Sequence, residues 1–430
     1  MEVSLTHTGK YEGGWWLPGK QENVIQGTLE IMEDGEMYFQ TLHHFNQSSL
    51  LFGENGYNEL HGLVKSESDN HDYHVLLFDL IQVHRISGKL SRTRFFVDKV
   101  LIGESKFAIS SNYNKLMVSS KVFSRWVEGT GIKIEEREIP RKVTYKQPEP
   151  IDLFSNKEIT GYIFFRCNHA YGPSRTVKIV EQPFLNLELH KSENLKEILQ
   201  LLACIERFLM VLWEQYHVFT NINLENDLKG RFKLLASKHI SKSYYVSHFD
   251  FFKFENFVEK YYFNWLKIYE QFNLAIRTFF FAFADFKIDI HSRFLNYVFA
   301  LEQLHRKGFR ATEPLSRRDK KMFEKAMQIQ QGDLKSWLER VLNNERTINL
   351  ITRLQELCEF SELKESEKIS NDELIRINNM RHYLVHLDEE RKKTAFTARE
   401  VYEINQKLES LFFAVLKKNM VDEKPWPAFG

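Results

Sequence analysis

The chain has 430 residues, with 59 Lys and Arg against 58 Asp and Glu, 43% hydrophobic side chains and a formal net charge of +1. That length provides for roughly two to three domains, and the composition excludes a largely disordered chain. Near-neutrality removes an overall basic balance as an argument for nucleic-acid binding, but it leaves room for a local basic patch.

The opening stretch, MEVSLTHTGKYEGGWW, has no basic segment followed by an apolar core, so no signal peptide is predicted. The most apolar windows, Thr278–Ala284 and Phe208–Trp213, are far shorter than the ~18 residues of a membrane-spanning helix, so no membrane partner is expected. Cys167, Cys204 and Cys358 are odd in number and far apart. Reduced thiols in a cytoplasmic protein are the expectation.

Residues 1–250 read as a β-rich region. Ile25–Ile31 alternates, Glu33-Asp34-Gly35 turns, and Met37–Leu42 continues, which is a hairpin signature. Further strands are predicted at Tyr73–Leu80, Arg94–Ile102, Lys115–Val118, Ile159–Phe165 and Val177–Val180, with loops at 53–58 and 65–72. Twisted antiparallel sheets in a sandwich or an open barrel fit this pattern equally well. From Asn194 the period changes: Leu195, Ile198, Leu199, Leu202, Ile205, Leu209 and Leu212 predict one amphipathic helix ending near Gln215. Phe232–Ala236 and Tyr244–Phe249 are consistent with a returning strand pair. Trp15, Trp16 and Trp126 read as core or interface anchors. His61, Asp72, His74, Asp79 and His84 have irregular strand spacing and read as scattered surface polar residues. No P-loop or dinucleotide-binding glycine pattern appears, so no nucleotide cofactor is expected.

Residues 251–430 read as helical, giving an α+β multidomain chain overall. Helices are predicted at about 256–282, 289–307, 317–330, 333–343, 346–359, 371–387 and 397–419. Asp289, Ser316, Asp333, Asn371 and Thr397 are the N-cap candidates, and Gly308 suits a helix C-terminus. The tail at 424–430 reads as non-helical.

Chemistry concentrates in Arg376–Asp388, RINNMRHYLVHLD. Arg381 is followed by His382 and, after four intervening residues, by His386. Roughly one Arg-x4-His is expected by chance in such a chain, so the context must carry the signal. The residue types suit RNA cleavage. The 2′-OH is the nucleophile, and a base must take its proton. An acid must protonate the 5′-oxygen, and positive charge must stabilise the transition state. Histidine titrates near neutrality and arginine grips phosphate in a fork. No metal is required, and the products are a 2′,3′-cyclic phosphate and a 5′-OH. On one helix Arg381 and His386 lie about 140° apart, whereas His382 and His386 share a face. The H-x-x-x-H spacing can also hold zinc, but no third ligand is specified.

A second feature is His305–Lys325, with eight basic side chains against Glu313, Asp319 and Glu324. Arg306, Lys307, Arg310, Arg317, Arg318, Lys320 and Lys321 are its candidate RNA contacts, set against the alternative of a solvated surface. The acidic run Glu356–Glu373 reads as a solvated linker that could mask the basic segment.

The Arg381-His382-x3-His386 string in a helical C-terminal segment resembles the motif of the HEPN ribonucleases. With GGWWLPG, IQGTL and FLNYVFALEQLH (Phe294–His305), most of the chain resembles the ApeA-like anti-phage proteins. The resemblance implies abortive defence: the N-terminal half senses a phage-derived trigger and releases a dormant, metal-independent ribonuclease on cellular RNA, with tRNA favoured. It implies an obligate homodimer, or a higher homo-oligomer, that completes the active site. It also implies roles: His386 as acid/base, Arg381 on the phosphate, His382 positioning RNA or Arg381, and Glu302 supporting from an earlier helix. The competing expectation is an inactive HEPN dimerisation or binding module that signals infection to a partner.

Overall fold

The computed structural model describes residues 9–33, 35–42, 59–65, 72–86, 92–103, 112–120, 123–124, 127, 131–135, 142–172, 176–228, 230–236, 258–284, 287–309, 312–314, 321–322, 324–325, 328 and 345–421. The chain packs as two compact units, Met1–Glu206 with His217–Glu259, and Arg207–Tyr216 with Lys260–Gly430.

The first unit is built on antiparallel strands. Six of them, β1 (Gly9–Trp16), β2 (Ile25–Ile31), β3 (Met37–Thr41), β4 (Glu59–Lys65), β5 (Asp72–Ile86) and β6 (Arg92–Gly103), pair in the order β3–β2–β1–β4–β5–β6. Tyr38–Thr41 of β3 returns to Thr93–Phe96 of β6 and closes a barrel. Alternation fills it. Trp15, Leu29, Phe39, Leu60, Val64, Val75, Leu77, Val97 and Val100 all point inward and are buried. Trp15 sets the tightest contacts: its ring lies 4.9 Å from Phe39, and its Nε1 donates to the Gly27 carbonyl at 3.0 Å. Gly62 faces the same ring, where a Cβ would come within 2.4 Å of it.

The sheet continues from β6 through β14 (Arg231–Ala236), β13 (Asn221–Asn226), β7 (Asn112–Ser119), β12 (Thr176–Asn194) and β11 (Ile159–Gly172) to β10 (Ile151–Ser155). Strands β8 (Ile132–Glu135) and β9 (Lys142–Tyr145) form a separate hairpin. Of the expected strand pair, Phe232–Ala236 is a strand, β14. Its neighbours are β13 and β6, and Tyr244–Phe249 lies outside the described residues. Residues 53–58 and 66–71 and Trp126 also lie outside them. The predicted helix is α1 (Leu195–Trp213), with Ile198, Leu202, Ile205 and Leu209 buried. The three thiols are free.

The second unit is helical: α2 (Val258–Gln271), α3 (Asn273–Ala284), α4 (Ile290–Gly308), α5 (Leu350–Ser361), a 3₁₀ turn (Glu365–Glu367), α6 (Asn371–His386), α7 (Glu389–Lys392) and α8 (Ala398–Val421). Helix α8 packs on α4 and α5, α3 on α4, and α5 on α6. Phe279, Tyr297, Phe412 and Phe413 form the aromatic centre, with Phe279 and Phe412 stacked at 3.8 Å. Strands β15 (Thr312–Pro314) and β16 (Glu345–Thr347) pair antiparallel.

Several boundaries differ from expectation. The single helix over 256–282 is two, because Phe272 leaves the helix while its amide still bonds the Ile268 carbonyl. The helix expected from 346 starts at Leu350, because Glu345–Thr347 pairs as β16 and Asn349 caps instead. Helix α6 is capped by Ser370, not Asn371: the Ser370 hydroxyl and the Glu373 carboxylate close a capping box. Asp289 caps α4 as expected, accepting from His291 and Ser292. Thr397 precedes α8, its hydroxyl accepting from the Glu400 amide. The caps Ser316 and Asp333, the tail at 424–430 and most of the helices over 317–330 and 333–343 lie outside the described residues. The acidic run is no linker, since α5, the 3₁₀ turn and α6 occupy it. Two of its carboxylates are held by bases on other helices: Glu356 pairs with His305 at 2.6 Å and Glu373 with Lys407 at 2.8 Å.

Candidate active site

Helix α6 carries the motif. Its start is fixed by the Ser370 capping box, and its core face is Leu374, Ile377 and Met380, all buried. The helix stops at His386 because Leu387 turns left-handed, at φ 56° and ψ 37°, while its amide bonds the Tyr383 carbonyl. Asp388 then caps the short α7 by accepting from the Arg391 amide.

The two histidines sit together, as residues four apart on one helix must. Their ring centroids are 5.5 Å apart, with His386 exposed and His382 half-buried. Partial burial, and after it the positive charges of Arg391, Arg381 and His386, hold the His382 imidazole below its ordinary value, with Asp388 opposing. A neutral imidazole is a competent proton acceptor.

Arg381 points elsewhere. Its Nη2 reaches Oε2 of Glu302 on α4 at 3.3 Å, and the other carboxylate oxygen accepts from Arg306 at 2.7 Å. Glu302 is only 6% exposed, so two guanidiniums neutralise one buried carboxylate. One turn on, His305 is fully buried, bonded to Glu356 on α5 and stacked on Phe309 at 4.9 Å. Arg353, also buried, donates through Nε to the Ile348 carbonyl at 2.9 Å. Helices α4, α5 and α6 thus share a buried charged layer that leads to Arg381.

The structure brings Arg381, Glu302 and Arg306 into one cluster and the two histidines into another, on adjoining sides of α6. Lys307 bonds the Gln271 carbonyl at 3.1 Å and Lys321 is exposed. Arg310, Arg317, Arg318 and Lys320 lie outside the described residues. Among the described residues, no group of three or more His, Cys, Asp or Glu side chains is arranged to hold a metal ion, and no helix is long and apolar enough to cross a membrane.

The sequence reading missed Arg391. Its Nη1 donates to Asn379 Oδ1 at 3.3 Å and its Nε lies 3.1 Å from Asp388 Oδ2. Asn379 in turn donates to the Thr394 hydroxyl at 3.0 Å. The available signal was the basic run Arg391–Lys393 immediately after the motif.

The family model described as ApeA N-terminal domain 1 matches residues 10–296, and the model described as Apea-like HEPN matches residues 295–424. No curated protein and no solved structure gives a significant match.

Proposed function

The chain belongs to the ApeA family, with an ApeA N-terminal domain followed by an HEPN domain, and from that premise we propose that it is a metal-independent endoribonuclease that cleaves cellular RNA during phage infection. The family supports anti-phage defence and HEPN nuclease chemistry at a coarse level. The observation that supports the finer reading is the His382–His386 pair at the solvent-facing end of α6, with Arg391 bonded to Asn379 on the same helix face.

In this reading one imidazole takes the proton from a ribose 2′-OH, and the oxygen attacks the adjacent phosphorus. The P–O5′ bond breaks, and an imidazolium returns a proton to the 5′-oxygen. The products are a 2′,3′-cyclic phosphate and a 5′-OH. His386, the exposed member, is the acid/base, His382 orients RNA or the arginine, and Arg381 balances phosphate charge. Because Arg381 and His386 diverge around the helix, a homodimer supplies the complementary group from a second α6. tRNA is the favoured substrate. Residues 1–250 sense a phage-derived trigger, and residues 251–430 hold the nuclease.

The test is to incubate pure protein with total RNA in EDTA and sequence the new ends. Fragments with 5′-OH termini are expected from the wild type. His386→Ala should lose cleavage at least ~100-fold while remaining folded. Intact RNA, with or without infected-cell extract, would instead favour a binding module.

A further inference from the structure

Arg381 and Arg391 have unequal access to a phosphate. Arg381 is tied to Glu302, a buried carboxylate that also holds Arg306. Separating a buried pair strands a charge in low dielectric and is costly. Arg391 is also paired, but with Asp388, whose side chain is 38% exposed. An exposed pair is worth little, so a phosphate can displace or share it.

Position favours Arg391 as well. Asn379, His382 and His386 stand three, four and seven residues apart along one face of α6. Arg391 is bonded to Asn379, so its guanidinium folds back over the face that carries both imidazoles. Its anchors use Nε and Nη1, and among the described residues no hydrogen bond takes Nη2. Backbone geometry fixes this return. The left-handed Leu387 ends α6, Asp388 caps α7, and within one turn the chain brings residue 391 back beside residue 379.

We propose that Arg391 is the phosphate-gripping guanidinium of the histidine face, held in place by Asn379 and Asp388, and that it binds the RNA phosphate at or beside the scissile bond. This rests on the ribonuclease reading above and adds to it a residue outside the Arg-x4-His string. With Nε and Nη1 anchored, the plane of the guanidinium is fixed and Nη2 is the nitrogen offered to a phosphate oxygen, a directed contact that Lys cannot copy.

The experiment uses the full chain. Cleavage of an RNA oligonucleotide in EDTA is measured for the wild type, Arg391→Gln and Arg391→Lys, with Arg399→Gln as control. Arg399 is exposed and pairs only with Glu403 along α8 among the described residues. Arg391→Gln should lower kcat/KM by roughly 10- to 100-fold, and Arg391→Lys should fall between it and the wild type. Arg399→Gln should match the wild type. Oligonucleotide binding is measured in a His386→Ala background as a function of salt. There Arg391→Gln should flatten the log–log slope by about 0.7, one single-strand phosphate contact, while Arg391→Lys keeps the slope. His382 should titrate higher by proton NMR in Arg391→Gln, because the leading neighbouring positive charge is gone.

Wild-type kcat/KM and an unchanged salt slope in a folded Arg391→Gln protein would overturn the inference and leave the nuclease standing. A wild type that leaves RNA intact, combined with a flattened slope in Arg391→Gln, would overturn the nuclease and leave the phosphate contact standing.

Discussion

The β1–β6 barrel and the helical unit bury their interiors with different chemistry. The barrel is filled by alternating apolar side chains, and Trp15, its largest, satisfies its one polar atom on the Gly27 carbonyl. The helical unit has an aromatic centre of its own, yet it also buries Glu302, His305 and Arg353 on α4 and α5 and half-buries Glu409 of α8 beside Tyr297. Buried ionisable groups are costly to maintain, and the first unit keeps its own, His217 and Lys233, outside the β1–β6 barrel. The barrel's apolar interior does not itself titrate near neutrality, although burial pushes the Glu59 carboxyl up and the His61 imidazole down on β4.

Three changes probe that contrast. The largest effect is expected in the barrel: Trp15→Ala removes a fully buried ring and should cost about 3–5 kcal/mol. Denaturant unfolding should give the same cost at pH 5 and pH 8. A strong pH dependence there would erase the contrast.

Next is Glu409, whose carboxyl burial pushes up to about 7, with the Tyr297 hydroxyl donating to it at 3.2 Å. An acid whose folded value exceeds its unfolded one binds more protons in the folded state between the two values. Stability of the helical unit should therefore fall as pH rises from about 4.5 to about 7, by on the order of 3 kcal/mol. Glu409→Gln keeps an acceptor for Tyr297 and removes the charge. It should raise the Tm at pH 8 and leave it unchanged near pH 4. No gain at pH 8 would show that the carboxylate ionises without penalty.

The smallest effect is at the start of α6. Ser370→Ala opens the capping box and should cost about 1 kcal/mol, read by thermal denaturation. Because the histidines lie at the other end of the helix, cleavage per folded molecule should be unchanged.

Legibility in the sequence followed periodicity. Strand β2 and helices α1, α4, α6 and α8 show regular alternation or a 3.6-residue stripe, and they stand close to where those patterns put them. Strand β1 was not legible. GKYEGGWW is polar and glycine-rich, and its glycines are explained only by the fold: a Cβ on Gly13 would lie 2.2 Å from the Leu63 carbonyl oxygen of the neighbouring strand. Strands β12 and β5 were read too short, because His, Glu and Lys in them interrupt the apolar run while long-range pairing carries the strand on. At the site, the divergence of Arg381 from His386 followed from 100° per residue. The fold-back of Arg391 did not, because it depends on a left-handed leucine that no residue preference announces.

Strand β6 has a consequence for anyone dissecting the N-terminal unit. Its first half pairs with β3 and its second half with β14, while β5 follows it along nearly its whole length. The barrel therefore has no seam at which it can be cut free. A fragment ending after residue 103 would strip Lys99–Gly103 of its β14 partner and leave that strand edge bare, which seeds self-association. A soluble, well-behaved piece of this unit should have to reach at least Ala236.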